Sequence, residues 1–158
     1  LPILMTDKGH QLDQNLAIHT YVADLAPEKK LLPPAGTLER ARAMNWLSFV
    51  ASDLHKSFSP LFALEAVSPD KKIQGSVRAW AVESVDKGLS YLDKHLAGKD
   101  YLMGDDFTVA DAYAFVVVGW TRWVGISIEG YQNLKKYLAL VAERPAVRKV
   151  YKEEGLLE

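Results

Sequence analysis

The sequence predicts a mostly α-helical chain: a bundle of about five helices, preceded by an α+β remnant of one short β-hairpin and one helix. Three observations predict it. From residue 37 onward apolar side chains recur every three or four positions, with no alternating strand pattern between them. Before that, Ile3-Leu4-Met5-Thr6 reads as a buried strand, Asp7-Lys8-Gly9 as a tight turn and His10-Gln11-Leu12 as a short return strand. Between the two lies a stretch no helix can traverse, Pro27 followed by Leu31-Leu32-Pro33-Pro34-Ala35-Gly36. The chain therefore divides into residues 1–26, a linker at 27–36 and an all-α unit at 37–158.

Asp13 is the expected N-cap of a first helix, about Gln14 to Ala26, whose apolar positions include Leu16, Ile18, Val22 and Leu25. A hairpin and one helix bury too little to stand alone, so something must complete that sheet. After the linker, Thr37 is a candidate cap, with Arg40 where a capping-box acid would sit; the helix it opens runs to about Phe58. Pro69 is expected to open the next helix, with Ile73, Val77, Trp80, Ala81, Ser84, Leu89, Leu92 and Leu96 inward and Gly98 as its stop. A further helix starts at Thr108 and runs through Trp120, and another carries Tyr131, Leu134, Leu138 and Val141. The last begins near Pro145 and turns Val147, Val150 and Tyr151 inward.

Composition excludes several functions. Of 158 residues, 49% are hydrophobic and 25% charged, an ordinary globular balance. Nineteen basic against twenty acidic residues leave a net charge of −1, so there is no electrostatic case for nucleic acid or an anionic membrane. The longest apolar run, Ala112 to Trp120, is too short to span a bilayer. Cysteine is absent, which removes disulfides, thiolate metal sites and a cysteine nucleophile from these residues. No signal peptide is visible, and the chain opens without methionine in a strand-like run, so further residues are expected upstream.

Three places carry more than fold. In Phe107-Thr108-Val109-Ala110-Asp111, Thr108 and Asp111 have capping-box spacing ahead of an apolar, buried helix, and the carboxylate reads as structural rather than catalytic. On the helix after the linker, Asn45, Ser48, Ser52, His55 and Ser59 form a stripe of uncharged hydrogen-bonding groups. Such a stripe suits a cleft or a subunit partner, and equally a helix-to-helix contact through small residues. Asp13-Gln14-Asn15 sits at a helix start, where free N–H groups suit a carboxylate, although ordinary capping explains these residues as well.

Taken together, Asp53-Leu54-His55-Lys56-Ser57-Phe58-Ser59-Pro60-Leu61-Phe62, Phe107-Thr108-Val109-Ala110-Asp111-Ala112-Tyr113 and Ala142-Glu143-Arg144-Pro145-Ala146-Val147 resemble the beta class of bacterial glutathione transferases. Asn15-Leu16-Ala17-Ile18 through Tyr21-Val22-Ala23-Asp24, then Lys30-Leu31-Leu32-Pro33, is similar to that family's passage from a thioredoxin-like domain into its linker, so the resemblance covers essentially the whole chain. It implies a glutathione transferase C-terminal bundle behind the end of a thioredoxin-like domain, about 50 residues of which would lie upstream, given about 30 per βαβ unit. It implies that Pro2 is the family's cis-proline, that Leu1 bonds the cysteinyl backbone of glutathione, and that Gln14 and Asn15 hold its γ-glutamyl end. Ser48 and Lys56 would also touch glutathione, His55 would act on the thiol, and Tyr113 and Trp120 would line the electrophile's pocket.

This resemblance tips the polar stripe toward a cleft wall. The class commonly has Glu and a small residue where Gln14 and Asn15 stand, and often Asn where Ser48 stands. The resemblance further implies a cytoplasmic homodimer that joins glutathione, as co-substrate, to hydrophobic electrophiles in detoxification, with no cofactor, metal, nucleic acid or membrane. The alternative is a non-catalytic ligand-binding or assembly protein of the same fold; a weaker one is a freestanding helical scaffold.

Overall fold

The computed structural model describes residues 2–156; Leu1, and with it the peptide bond before Pro2, lies outside them. The hairpin pairs β1 (Leu4–Met5) with β2 (Gln11–Leu12) antiparallel, Leu4 opposite Leu12. It is shorter than expected and barely buried, with Ile3 and Met5 exposed, because two strands shield little from water. Helix α1 spans Asn15–Asp24. Its cap is Gln14 rather than Asp13, and no side chain bonds the free amides there.

A 3₁₀ turn at Pro27–Lys29 and the prolines beyond it lead to α2 (Leu38–Phe49). Thr37 caps α2, its hydroxyl oxygen accepting from the Arg40 N–H at 3.1 Å. Arg40 is no failed capping acid: its guanidinium donates to both Asp24 carboxylate oxygens, at 2.8 and 2.7 Å, and to the Pro33 carbonyl at 2.9 Å. One cation thus ties α1, the linker and α2 together, and it holds the Asp24 carboxyl below its usual range.

The helix continues past α2 through a π-turn, Val50–Leu54, into α3 (His55–Phe62), four residues beyond the expected end at Phe58. The short α4 (Leu64–Val67) precedes α5 (Lys71–His95). Asp70 caps α5, accepting from the Lys72 N–H at 2.7 Å, so Pro69 stands before the cap instead of opening the helix. The buried face of α5 is Ala81, Val85, Leu89 and Leu92. Ile73 and Trp80, expected inside, are exposed; Trp80 is 62% open because it lies one residue, about 100° around the helix, from Ala81.

At the centre is α6 (Val109–Gly119), apolar nearly all round, with only Val116 turned out to solvent among its aliphatic and aromatic side chains. After α6 come α7 (Thr121–Val124), α8 (Gln132–Ala142) and α9 (Pro145–Glu153). Gly125 ends α7 at φ +68°, a left-handed geometry that favours glycine. Tyr131 caps α8 rather than belonging to it, and Tyr137, unnoticed in the sequence pattern, fills the space between α8 and α6. On α9, Val147 and Tyr151 are half-buried, but Val150 faces solvent. Among the described residues no helix is long and apolar enough to cross a membrane.

Candidate functional site

The first turn of α6 is a polar cluster sealed from water. Asp111 is 0% exposed, and its carboxylate accepts from the Leu102 N–H at 2.8 Å, the Thr108 N–H at 2.8 Å and the Thr108 hydroxyl at 3.0 Å. The capping box expected of Thr108 and Asp111 is present. Burial raises the Asp111 carboxyl above its ordinary value while the Leu102 and Thr108 donors oppose the rise. With three protein donors on a carboxylate sealed from water, this acid is out of a substrate's reach. Its work is to fix the start of α6 and the 102–108 loop.

Two residues along, the same helix carries Tyr113, the centre of a second and open cluster. Its hydroxyl and the Nδ1 of His55 share a hydrogen bond of 2.6 Å. His55 also meets Trp120 edge-to-face at 4.7 Å between ring centres. On the other side of Tyr113 the ring of His19, on α1, stacks at 5.2 Å with 23° between planes. The Nδ1 of His19 bonds the Asn15 carbonyl at 2.8 Å. Trp120 then meets Phe58 and Phe62 edge-to-face, and Phe62 is 53% exposed. Both imidazoles are pushed below their ordinary value, His19 chiefly by burial and His55 by burial with the Lys56 charge beside it.

The polar stripe does not stay in one line. A π-turn adds in effect one residue to the helix and rotates the residues beyond it by about 100°. Asn45, Ser48 and Ser52, before or within the turn, line a shallow depression with Phe49, Asp53 and Tyr91 on the α5 side. His55, just after it, faces α6 instead. The expected site residues therefore fall into groups. His55, Tyr113 and Trp120 come together directly; Asn15, with the exposed Gln14 before it, is joined to them through His19. Lys56 is exposed next to His55, Pro2 lies near the hairpin's start, Ser48 sits on another face, and Leu1 lies outside the described residues.

Tyr113, at 6% exposure, stands behind His55 more than it lines an open pocket. Two residues of the cluster, His19 and Phe62, were not singled out in the sequence. His19 stands four positions after Asn15, on the same face of a short helix, which is the signal that could have found it.

The sequence pattern of the family described as glutathione S-transferase, C-terminal domain, matches residues 60–145, slightly more than half of the chain. Glutathione S-transferase GstA of Escherichia coli O157:H7 is 35% identical over 158 residues, covering 99% of this chain and 74% of that protein. The chain belongs to the glutathione S-transferase family. Among solved structures, a sphingomonad glutathione S-transferase complexed with glutathione superposes with a TM-score of 0.88 at 41% identity, covering 99% of this chain and 75% of that one. A beta-class enzyme of Sphingomonas chungbukensis does so with a TM-score of 0.89 at 40% identity over the same shares. The fold is accordingly a glutathione transferase helical domain behind a partial thioredoxin-like segment, and the protein is a glutathione transferase of the bacterial kind. These relatives leave the non-catalytic alternative without support.

Proposed function

We propose that glutathione binds between the start of α1 and the His55 face of α3, and that the apolar electrophile lies against Trp120 and Phe62. The observation that carries this is the unbroken chain of contacts from Asn15 through His19 and Tyr113 to His55. It joins a helix start with uncapped amides, suited to a carboxylate, to an imidazole with one ring nitrogen still uncommitted. Residues 1–26 would be the end of the thioredoxin-like domain, 27–36 its linker and 37–158 the helical domain. Gln14 and Asn15 would hold the γ-glutamyl end, with Pro2 and Leu1 beside the cysteinyl backbone.

The reacting species is the thiolate. Its sulfur forms a bond to the electrophilic carbon, whose leaving group departs with the electron pair. Lowering the thiol's pKa needs hydrogen-bond donation and nearby positive charge, for which His55 and Lys56 are the candidates. The half-exposed Trp120 and exposed Phe62 offer an apolar wall for the second substrate. Ser48, with Asn45, Ser52 and Tyr91, would belong to a face that meets a second copy in a homodimer; Trp80, exposed on the neighbouring α5, is consistent with such a contact. A cytoplasmic location suits the cysteine-free sequence.

The test uses two variants of the intact enzyme. His55→Ala should lower kcat/KM about 100-fold or more, as removal of a positioned polar catalyst does. Trp120→Ala should raise KM for an apolar electrophile several-fold and leave KM for glutathione within about twofold, from lost apolar contact. Unchanged turnover and glutathione affinity in His55→Ala would remove His55 from the chemistry.

A further inference from the structure

We propose that His19 is a positioning residue which, through Tyr113, holds His55 in the form that carries its proton on Nε2. The inference rests on the reading of His55 given above and adds to it a residue from the other side of the linker. It starts with Tyr113. A phenol and one imidazole nitrogen share a short bond, 2.6 Å, and the Tyr113 hydroxyl has no other protein partner among the described residues. With the Tyr113 O–H as the donor, Nδ1 of His55 is the acceptor and the proton of the neutral ring goes to Nε2. The free edge of His55 is then a hydrogen-bond donor, the polarity that a thiolate or a peptide carbonyl needs.

That arrangement holds only while the phenol stays in register. Tyr113 comes from α6 and His55 from α3, and each could turn about its own side-chain bonds. His19 limits this by lying flat against the Tyr113 ring, 5.2 Å between centres and 23° between planes. His19 is itself anchored. Its Nδ1 lies 2.8 Å from the Asn15 carbonyl, which can only accept, so Nδ1 bears the proton and the ring is pinned to the first turn of α1. Asp24–Arg40 and the Val109 N–H to Leu31 carbonyl bond at 3.0 Å hold α1 and the linker against the same bundle. The start of α1, where the resemblance puts the γ-glutamyl end, is thereby geared to the tautomer of the imidazole facing the thiol.

The experiment is nitrogen-15 NMR of the intact protein labelled in its histidines, the four of this chain among them, with kinetics alongside. In the wild type, His55 should show an unprotonated Nδ1 and a protonated Nε2, and His19 the reverse. Tyr113→Phe and His19→Leu should both move the His55 ring signals toward mixed tautomers and lower kcat about tenfold, with KM for the electrophile unchanged. His19→Phe keeps a flat ring on Tyr113 but loses the bond to the Asn15 carbonyl, and should rescue both readouts in part. His55 protonated on Nδ1 in the wild type overturns the proposal, even if no variant folds. So do His55 signals unaltered in His19→Leu, and a His19→Phe variant as impaired as His19→Leu. If His55→Ala leaves turnover intact while the His19-dependent shifts are still seen, the tautomer coupling stands and the catalytic reading of His55 fails.

Discussion

Helix α6 carries two polar clusters within its first two turns, and they are built on opposite plans. Around Asp111 three donors from the protein converge on one carboxylate at zero exposure, and the Tyr137 hydroxyl, 3.0 Å from the Asp111 carbonyl, closes the far side. Around Tyr113 the groups are two half-buried imidazoles, each hydrogen-bonded to the protein through Nδ1 alone, and an indole that meets His55 edge-to-face. The first arrangement commits its carboxylate to protein donors away from water and so contributes to stability. The second keeps capacity in reserve beside water, the condition for touching a substrate. Placement two residues apart on an otherwise apolar helix lets the rigid cluster hold the reactive one.

This contrast makes separable demands. The largest effect should come from Asp111→Ala, which strands buried N–H groups of Leu102 and Thr108 and removes a helix cap. Unfolding in urea should show a loss of about 4 kcal/mol, since each stranded buried donor costs roughly 1–3 kcal/mol. In protein that remains folded, the His55 ring signals should be those of wild type. A loss under about 1 kcal/mol would mean the sealed cluster contributes little. Next in size is deletion of Ser52, an exposed residue in the π-turn. Restoring ordinary helical register would rotate His55 by about 100° away from Tyr113, or oblige α3 to shift. Activity should fall at least as far as in His55→Ala while far-UV circular dichroism keeps the helical signal. Full activity would show that the π-turn does not aim His55.

The difference between the clusters also explains what could be read from the sequence. Thr108 and Asp111 were legible because a capping box is local: four residues, one turn, a fixed bonding pattern. The bundle was legible for the same reason, through period and caps, down to Leu134 and Val141 on α8. The α5 face was misjudged at Ile73 and Trp80 because period identifies a stripe without saying which edge of it the neighbours cover. The polar stripe was misjudged because its spacing assumes an uninterrupted α-helix. No residue between Val50 and Leu54 announces an i to i+5 bond, so Ser48 and His55 could be counted onto one face that the helix does not possess. His19 could not be seen at all as a partner of Tyr113, since 94 positions separate them and only the packing of α1 on α6 brings the rings together.

The smallest effect separates the clusters by pH. His19 and His55 both bind protons less readily in the folded protein than a free imidazole does, chiefly because burial disfavours the charged ring. Between the ordinary histidine value of about 6.5 and the lower folded values, the unfolded chain therefore holds more protons, and stability rises with pH. The contribution of the two rings is complete above about 6.5 and is lost as pH falls through their folded values. Asp111 acts in the other direction: its raised value means stability is greatest with the carboxyl protonated and declines as pH climbs through the acid range. Urea midpoints taken from pH 4 to 8 should fall on the acid side of 6.5 in the wild type, and the fall should be shallower in His19→Phe, which has no proton to gain there. The effect is modest because both rings are partly open to solvent. An equal slope in the two proteins would show that His19 is not desolvated enough to matter, and would leave its stacking on Tyr113 as the whole of its role.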